Sequence, residues 1–229
     1  MSNYLQLVNK LRRECAVSGA DAATLSGQSA EYNRLAGWIN LAWIDIQEIH
    51  DDWFFLRQPF AFSTVAQQFS YTPTQAQIVS APGLGDWKRD SVRSYSPALG
   101  FGNEMIMPYI DYDTFLMQFQ YGSMRTTYTR PSVFSIDPQR NIVFGAVPDT
   151  VYNIVGEYYQ AASELVADAD IPILPTRYHN LIVYRAMVHY GMFEVASEVI
   201  QRGQAEFDKM MLRLVHDQLP RITFGDPLA

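Results

Sequence analysis

Residues 28–57 read QSAEYNRLAGWINLAWIDIQEIHDDWFFLR, and two kinds of architecture meet inside them. Up to His50, Leu35, Ile39, Ala42, Trp43, Ile46 and Ile49 recur at three- and four-residue steps, the spacing of one helix face. Ser26 or Ser29 can cap that helix. A helix over 28–50 would be about 35 Å long at 1.5 Å per residue, which suits a bundle better than a compact enzyme lobe. After Asp52 the grammar changes. From Trp53-Phe54-Phe55-Leu56 to about Gln160 the chain is rich in aromatic and β-branched residues and is broken by Pro and Gly.

Toward the N-terminus, Leu5, Val8 and Leu11, with Tyr4 and Leu7 beside them, predict a first helix over 3–17. Within the aromatic block, Phe60, Phe62 and Thr64 alternate with smaller residues, and Gln68–Tyr71 continues the pattern. Ile78-Val79 and Met105–Met107 read as further short strands. Asp137-Pro138-Gln139-Arg140-Asn141 is turn chemistry between Val133–Ile136 and Ile142–Phe144, which predicts a hairpin. Tyr152–Tyr158 alternates again, and one short helix is expected over 111–121. After a loop carrying Asp168, Asp170, Pro172 and Pro175, two more helices are expected over 176–193 and 194–218. The last residues, LPRITFGDPLA, are a tail. No internal repeat is evident.

Helix–helix, β block, helix–helix, tail is most economically an α+β chain. The expected body is a discontinuous helical bundle, two N-terminal and two C-terminal helices, formed by 1–57 and 161–218. A β-rich insertion occupies 58–160, and an extended C-terminal tail 219–229.

Of the 229 residues 48% are hydrophobic, enough for a sizeable core. Only 18% are charged, against roughly 25% in an average domain. Aromatics reach 14%. Few charges and many aromatics suit a surface buried against other subunits, and equally a large core with tyrosine at its rim. The net charge is −7, and the nearest basic run is Lys10, Arg12 and Arg13, a solvated helix face. Specific nucleic-acid binding is therefore not expected, whereas an acidic wall would let DNA slide past. The single cysteine, Cys15, excludes an intramolecular disulfide and reads as a small buried helix residue. No run approaches the roughly 18 apolar residues of a membrane span, and the N-terminus is not a signal peptide.

No catalytic or metal site and no cofactor is expected. Glu48, His50, Asp51 and Asp52 form the densest group of ligand types, but a second histidine is missing and the helix ends there. Asp168, Arg177 and His179 lack a nucleophile; His189 and His216 stand alone in helical patterns. Residues 81–86, APGLGD, contain GxG without a nucleotide-binding context and read as a turn. The tail is the feature least like generic loop, because Ile222 and Phe224 stand among prolines. Leu219, Arg221, Ile222 and Phe224 form a segment that could dock in a partner's groove or fold back on its own bundle.

Three strings, in their order and spacing, resemble the head–tail adaptor (head-completion or connector) subunits of tailed bacteriophages. They are TLSGQSAEYNRLAGWINLAWIDIQEIHDDWFFLR at 24–57, RPSVFSID…NIVFGAVPDTVYNIVGEYYQAASEL within 130–165, and LPTRYHNLIVYRAMVHYG at 174–191. The resemblance implies a structural virion protein at the head–tail junction. It implies a homo-oligomeric ring, commonly dodecameric, beneath the portal, with duplex DNA passing through its lumen. The C-terminal segment would reach the portal protein, the β-rich part would support tail or nozzle components, and Trp38, Ile39, Trp43, Trp53 and Phe54 would pack the core or the ring contacts.

Three readings compete: the adaptor; another tail ring or tail-tube protein; and a β-module on a helical stem that binds a partner or carbohydrate, with Trp87 and tyrosines as platforms. An envelope hydrolase would need an acid such as Asp51 or Glu157, and no sequence feature recommends it.

Overall fold

The computed structural model describes residues 1–79 and 82–220. The elements run α1 (Tyr4–Glu14), α2 (Ala30–Glu48), β1 (Arg57–Ser63), β2 (Ser70–Tyr71), β3 (Leu84–Trp87), β4 (Arg93–Tyr95) and β5 (Met105–Ile106). They continue with α3 (Tyr112–Phe119), β6 (Val133–Ile136), β7 (Ile142–Gly145), β8 (Asn153–Gln160), α4 (His179–Phe193) and α5 (Ser197–Gln218). The class is α+β. The chain divides into two compact units, Met1–Leu56 with Ala162–Ala229, and Arg57–Ala161.

In the helical unit, α1 starts at a capping box in which Asn3 and Gln6 satisfy each other's backbone N–H. It stops at Glu14, short of the expected Val17, because Ala16 takes a left-handed φ of 54° that no helix continues. Ser29 caps α2 by accepting from the Tyr32 N–H. α4 packs against α1, α2 and α5, so it is apolar nearly all round: Leu181, Ile182, Val183, Ala186 and Met187 are fully buried. α5 lies close to it at Gly203, where a Cβ would come within 3.0 Å of the Met187 Cβ and the Tyr184 carbonyl. The expected start at Glu194 moves to Ser197 because Val195 is left-handed, with φ 54°.

The returning chain is tied to α2 by two amides seven residues apart. Asn40 donates to the Leu165 carbonyl and accepts from its N–H, both at 2.9 Å. Gln47 does the same for Ser163, both at 3.0 Å. Amides with both functions satisfied, Gln47 buried and Asn40 half-buried, fix a register that apolar contacts alone would leave loose.

His179, 2% exposed, closes the other end of the bundle. Its Nε2 lies 2.9 Å from the Leu174 carbonyl and its Nδ1 3.2 Å from the Ser2 N–H. The neutral ring that donates through Nε2 and accepts at Nδ1 satisfies both. Burial lowers the pKa below 6.5. Between that lowered value and 6.5 the unfolded chain binds more protons than the folded one, so stability falls as pH falls. Thermal melts are expected to drop in midpoint as pH is lowered through 6.5, with a shallower slope in His179→Gln. Equal slopes would contradict this.

In the β unit, one sheet has the order β1-β8-β4-β5, with β3 also on β8, and the second has the order β2-β7-β6. All the pairings between these strands are antiparallel. β8 alternates as its sequence predicts, turning Ile154, Gly156 and Tyr158 inward. Its register with β1 sets Phe60 opposite Gly156, which leaves room for the ring. Phe60, Phe62, Tyr71, Trp87, Phe134, Phe144 and Ile154 form one core between the sheets. The β6–β7 hairpin turns on Asp137, whose carboxylate accepts from the Gln139 and Asn141 N–H groups at 2.9 Å.

β1 ends its sheet and carries Pro59, exposed, a residue that only an edge strand tolerates. The expected strand at Ile78-Val79 is instead irregular chain leaving the turn at 73–77, which the Ile78 N–H closes on the Pro73 carbonyl at 2.9 Å. Conversely, part of the expected turn at 81–86 is strand β3. It bulges at Gly85, where a Cβ would sit 2.7 Å from the Gln160 oxygen.

Candidate interaction surfaces

Several of the groups that could carry chemistry are absorbed into structure. Asp168 accepts from the Leu25 N–H at 3.1 Å, and Arg177 pairs with Asp217. The His50 ring stands edge-on to Trp53, with centroids 4.9 Å apart. Glu157 pairs with Arg57, and Asp45 accepts from Arg185 Nε at 2.7 Å and lies 3.0 Å from His189 Nε2. Burial pushes the Cys15 thiol up to about 12, far from a reactive thiolate. Trp87 is buried and donates to the Arg140 carbonyl at 2.9 Å, so it is core and not a ligand platform. Among the described residues no group of three His, Cys, Asp or Glu side chains could hold a metal ion. No helix among them is long and apolar enough to cross a membrane.

What the molecule presents instead is apolar surface. Ile39, Trp43 and Trp53 are fully buried. Phe54 differs from them: the 3-10 turn Phe54–Leu56 directs Leu56 inward and leaves Phe54 39% exposed. Trp38 is half-buried on the flank of α2, with its ring centroid 5.6 Å from that of Tyr190 and 5.4 Å from that of Phe193. Arg34 lies over the Phe193 ring at 5.1 Å, a cation–π contact. Leu41, Met192 and Phe193 extend this patch, 45%, 63% and 54% exposed.

On α2 the patch residues Arg34, Trp38 and Leu41 continue to Asp45. This second stripe at helical spacing is visible in the sequence, though the stronger core stripe beside it dominates the pattern. The loop before α4 offers a different surface, where Val166, Ile171 and Ile173 are exposed beside Glu164, Asp168 and Asp170.

In the β unit Leu99, Phe101, Met105 and Ile106 are exposed along one short stretch ending in edge strand β5. The outer face of the larger sheet holds an open concavity of about 640 Å³, floored by Pro59, Ala61 and Val155 and rimmed by Lys88, Arg93 and Glu157. Leu219, half-buried, follows α5 and still bonds back to the Val215 carbonyl at 3.1 Å. Arg221, Ile222 and Phe224 lie outside the described residues.

No curated protein matches the chain. A family model described as SU10 adaptor protein does match, over residues 2–227, and so spans both units. Apolar and aromatic surface presented from both units fits that description. It belongs to the SU10 adaptor protein family, structural proteins of phage particles and not a family of enzymes.

Proposed function

We propose that the protein is the head–tail adaptor subunit of its phage, forming a ring, dodecameric in our reading, beneath the portal and joining capsid to tail. The observation that carries the proposal is the family match along nearly the entire chain. Charge distribution supports it. The helical unit holds ten Lys/Arg against sixteen Asp/Glu, net −6, whereas the β unit holds seven against eight, net −1. A channel walled by the acidic unit repels phosphate and lets duplex DNA pass without sticking. In this reading the helical unit is the body of the ring. Residues 219–229 reach the portal, and the exposed apolar stretches of the β unit meet tail or nozzle components.

The test is cryo-electron microscopy of the protein co-expressed with the portal from the same genome. A cyclic ring seated on the narrow end of the portal is expected. A bare portal would overturn the reading.

A further inference from the structure

The helical unit leaves apolar side chains exposed at the end where α5 stops. Ile171 and Ile173 are 46% and 43% exposed, with Pro172 buried between them. The last turns of α5 are fastened beside this segment. Arg177, four residues past Ile173, pairs with Asp217, and the Tyr178 hydroxyl donates to the Arg213 carbonyl at 3.2 Å. Leu219 then leaves the helix half-buried and in extended backbone, φ −108° and ψ 152°.

The chain that follows has the reach to return. Ile222 and Phe224 lie five and seven residues beyond Asp217, about 17 and 24 Å of extended chain. Ile173 is at most about 14 Å of chain from Arg177. Charge favours the same meeting. Residues 161–176 carry Glu164, Asp168 and Asp170 with no Lys or Arg, and Asp217 neutralises Arg177. Residues 219–225 carry a single charge, that of Arg221. A segment tethered over so short a span has an effective concentration on the order of millimolar, so it takes the site ahead of a free copy.

We propose that Ile171 and Ile173 seat residues 221–224 of the same chain. Ile222 and Phe224 cover the two isoleucines, and Arg221 faces the carboxylates of 164–170. The seat goes beyond the adaptor reading and does not depend on it. Under that reading the portal draws the tail off this seat, so the anchors are covered in the free subunit and handed over on docking.

Tryptic cleavage after Arg221 in the full chain, read by mass spectrometry of the released 222–229, tests the seat with no portal present. The synthetic peptide 217–229, in which Arg221 is the one cleavage site, sets the rate for an unprotected tail. The chain is expected to release 222–229 about tenfold more slowly, the protection that burying one such side chain provides. Ile171→Ser with Ile173→Ser should raise release to the peptide's rate. Cleavage after Arg213, within α5, should stay slow in that variant and so report an intact fold. Phe224→Ser, set against a peptide with the same change, should also lose protection while the seat itself is untouched.

Wild-type release at the peptide's rate would overturn the seat, and so would protection that survives the double substitution. Protection that fades on dilution would overturn it in favour of a second copy's tail. A bare portal in the microscopy would leave these rates unchanged, so the two readings fail separately.

Discussion

Removal of residues 219–229 is expected to abolish attachment to the portal while leaving the helical unit folded. Ile222 and Phe224 are the only large apolar anchors between Pro220 and Leu228. Burying each in a partner's groove contributes about 1.5–3 kcal/mol. Losing both weakens each docking site by roughly a hundredfold or more. A ring multiplies the effect, because its tails bind as one multivalent unit and are lost together. Co-purification with the portal, compared with a melting curve of the truncated protein, measures both halves of the prediction. Wild-type capture by the truncated protein would refute the docking role, and a lowered melting midpoint would show that the tail folds back on its own bundle. Ile222→Asp with Phe224→Asp should reproduce the truncation without shortening the chain.

Trp53→Ala is expected to destabilise the helical unit by about 3–5 kcal/mol, the cost of emptying a fully buried tryptophan site. Trp53 is 0% exposed and its ring stacks on Phe55 at 5.4 Å. Its Nε1 also donates to the Ile46 carbonyl at 3.0 Å. That oxygen belongs to the last turn of α2, where carbonyls have no partner within the helix. The indole therefore caps the helix as well as filling the core. Trp53→Phe separates the two roles. It keeps most of the volume and loses the hydrogen bond, so a smaller loss of about 1–2 kcal/mol is expected, part of it from the unsatisfied carbonyl. Denaturant titration of the three proteins gives the comparison, and a Trp53→Phe variant as stable as the wild type would sink the capping argument.

The sequence announces its elements where a periodic pattern coincides with a local signal. α2 has both an apolar stripe and a serine cap, and the β6–β7 hairpin has alternation on each side of an Asp-Pro turn. The long-range ladder leaves no such trace. APGLGD at 81–86 looks like turn chemistry, and 84–87 becomes strand β3 because β8 offers it a partner more than seventy residues away. Ile78-Val79 is β-branched but joins no strand among the described residues, and the Ile78 N–H is taken by the Pro73 carbonyl of the preceding turn. Helix ends moved for a similar reason, since left-handed residues such as Ala16 and Val195 have no compositional mark. The interaction surfaces were partly legible. Trp38 is an aromatic residue in the strongest helical pattern, but its partner Phe193 is near only in space, on an antiparallel helix. The role of Asn40 and Gln47 in holding 163–165 was invisible, because two amides on a helix reveal nothing of the chain that crosses them.

The exposed proline in β1 has a consequence for how copies of this protein behave before they assemble. An open sheet edge is a template on which a second molecule can lay its own strand, then a third, without any number at which growth must end. Pro59 offers no N–H to such a newcomer and interrupts the pattern midway along the strand. Copies of the chain are thereby denied the route into fibres that would run through β1. The choice of who sits beside whom is left to side-chain surfaces, which can be matched, counted and closed.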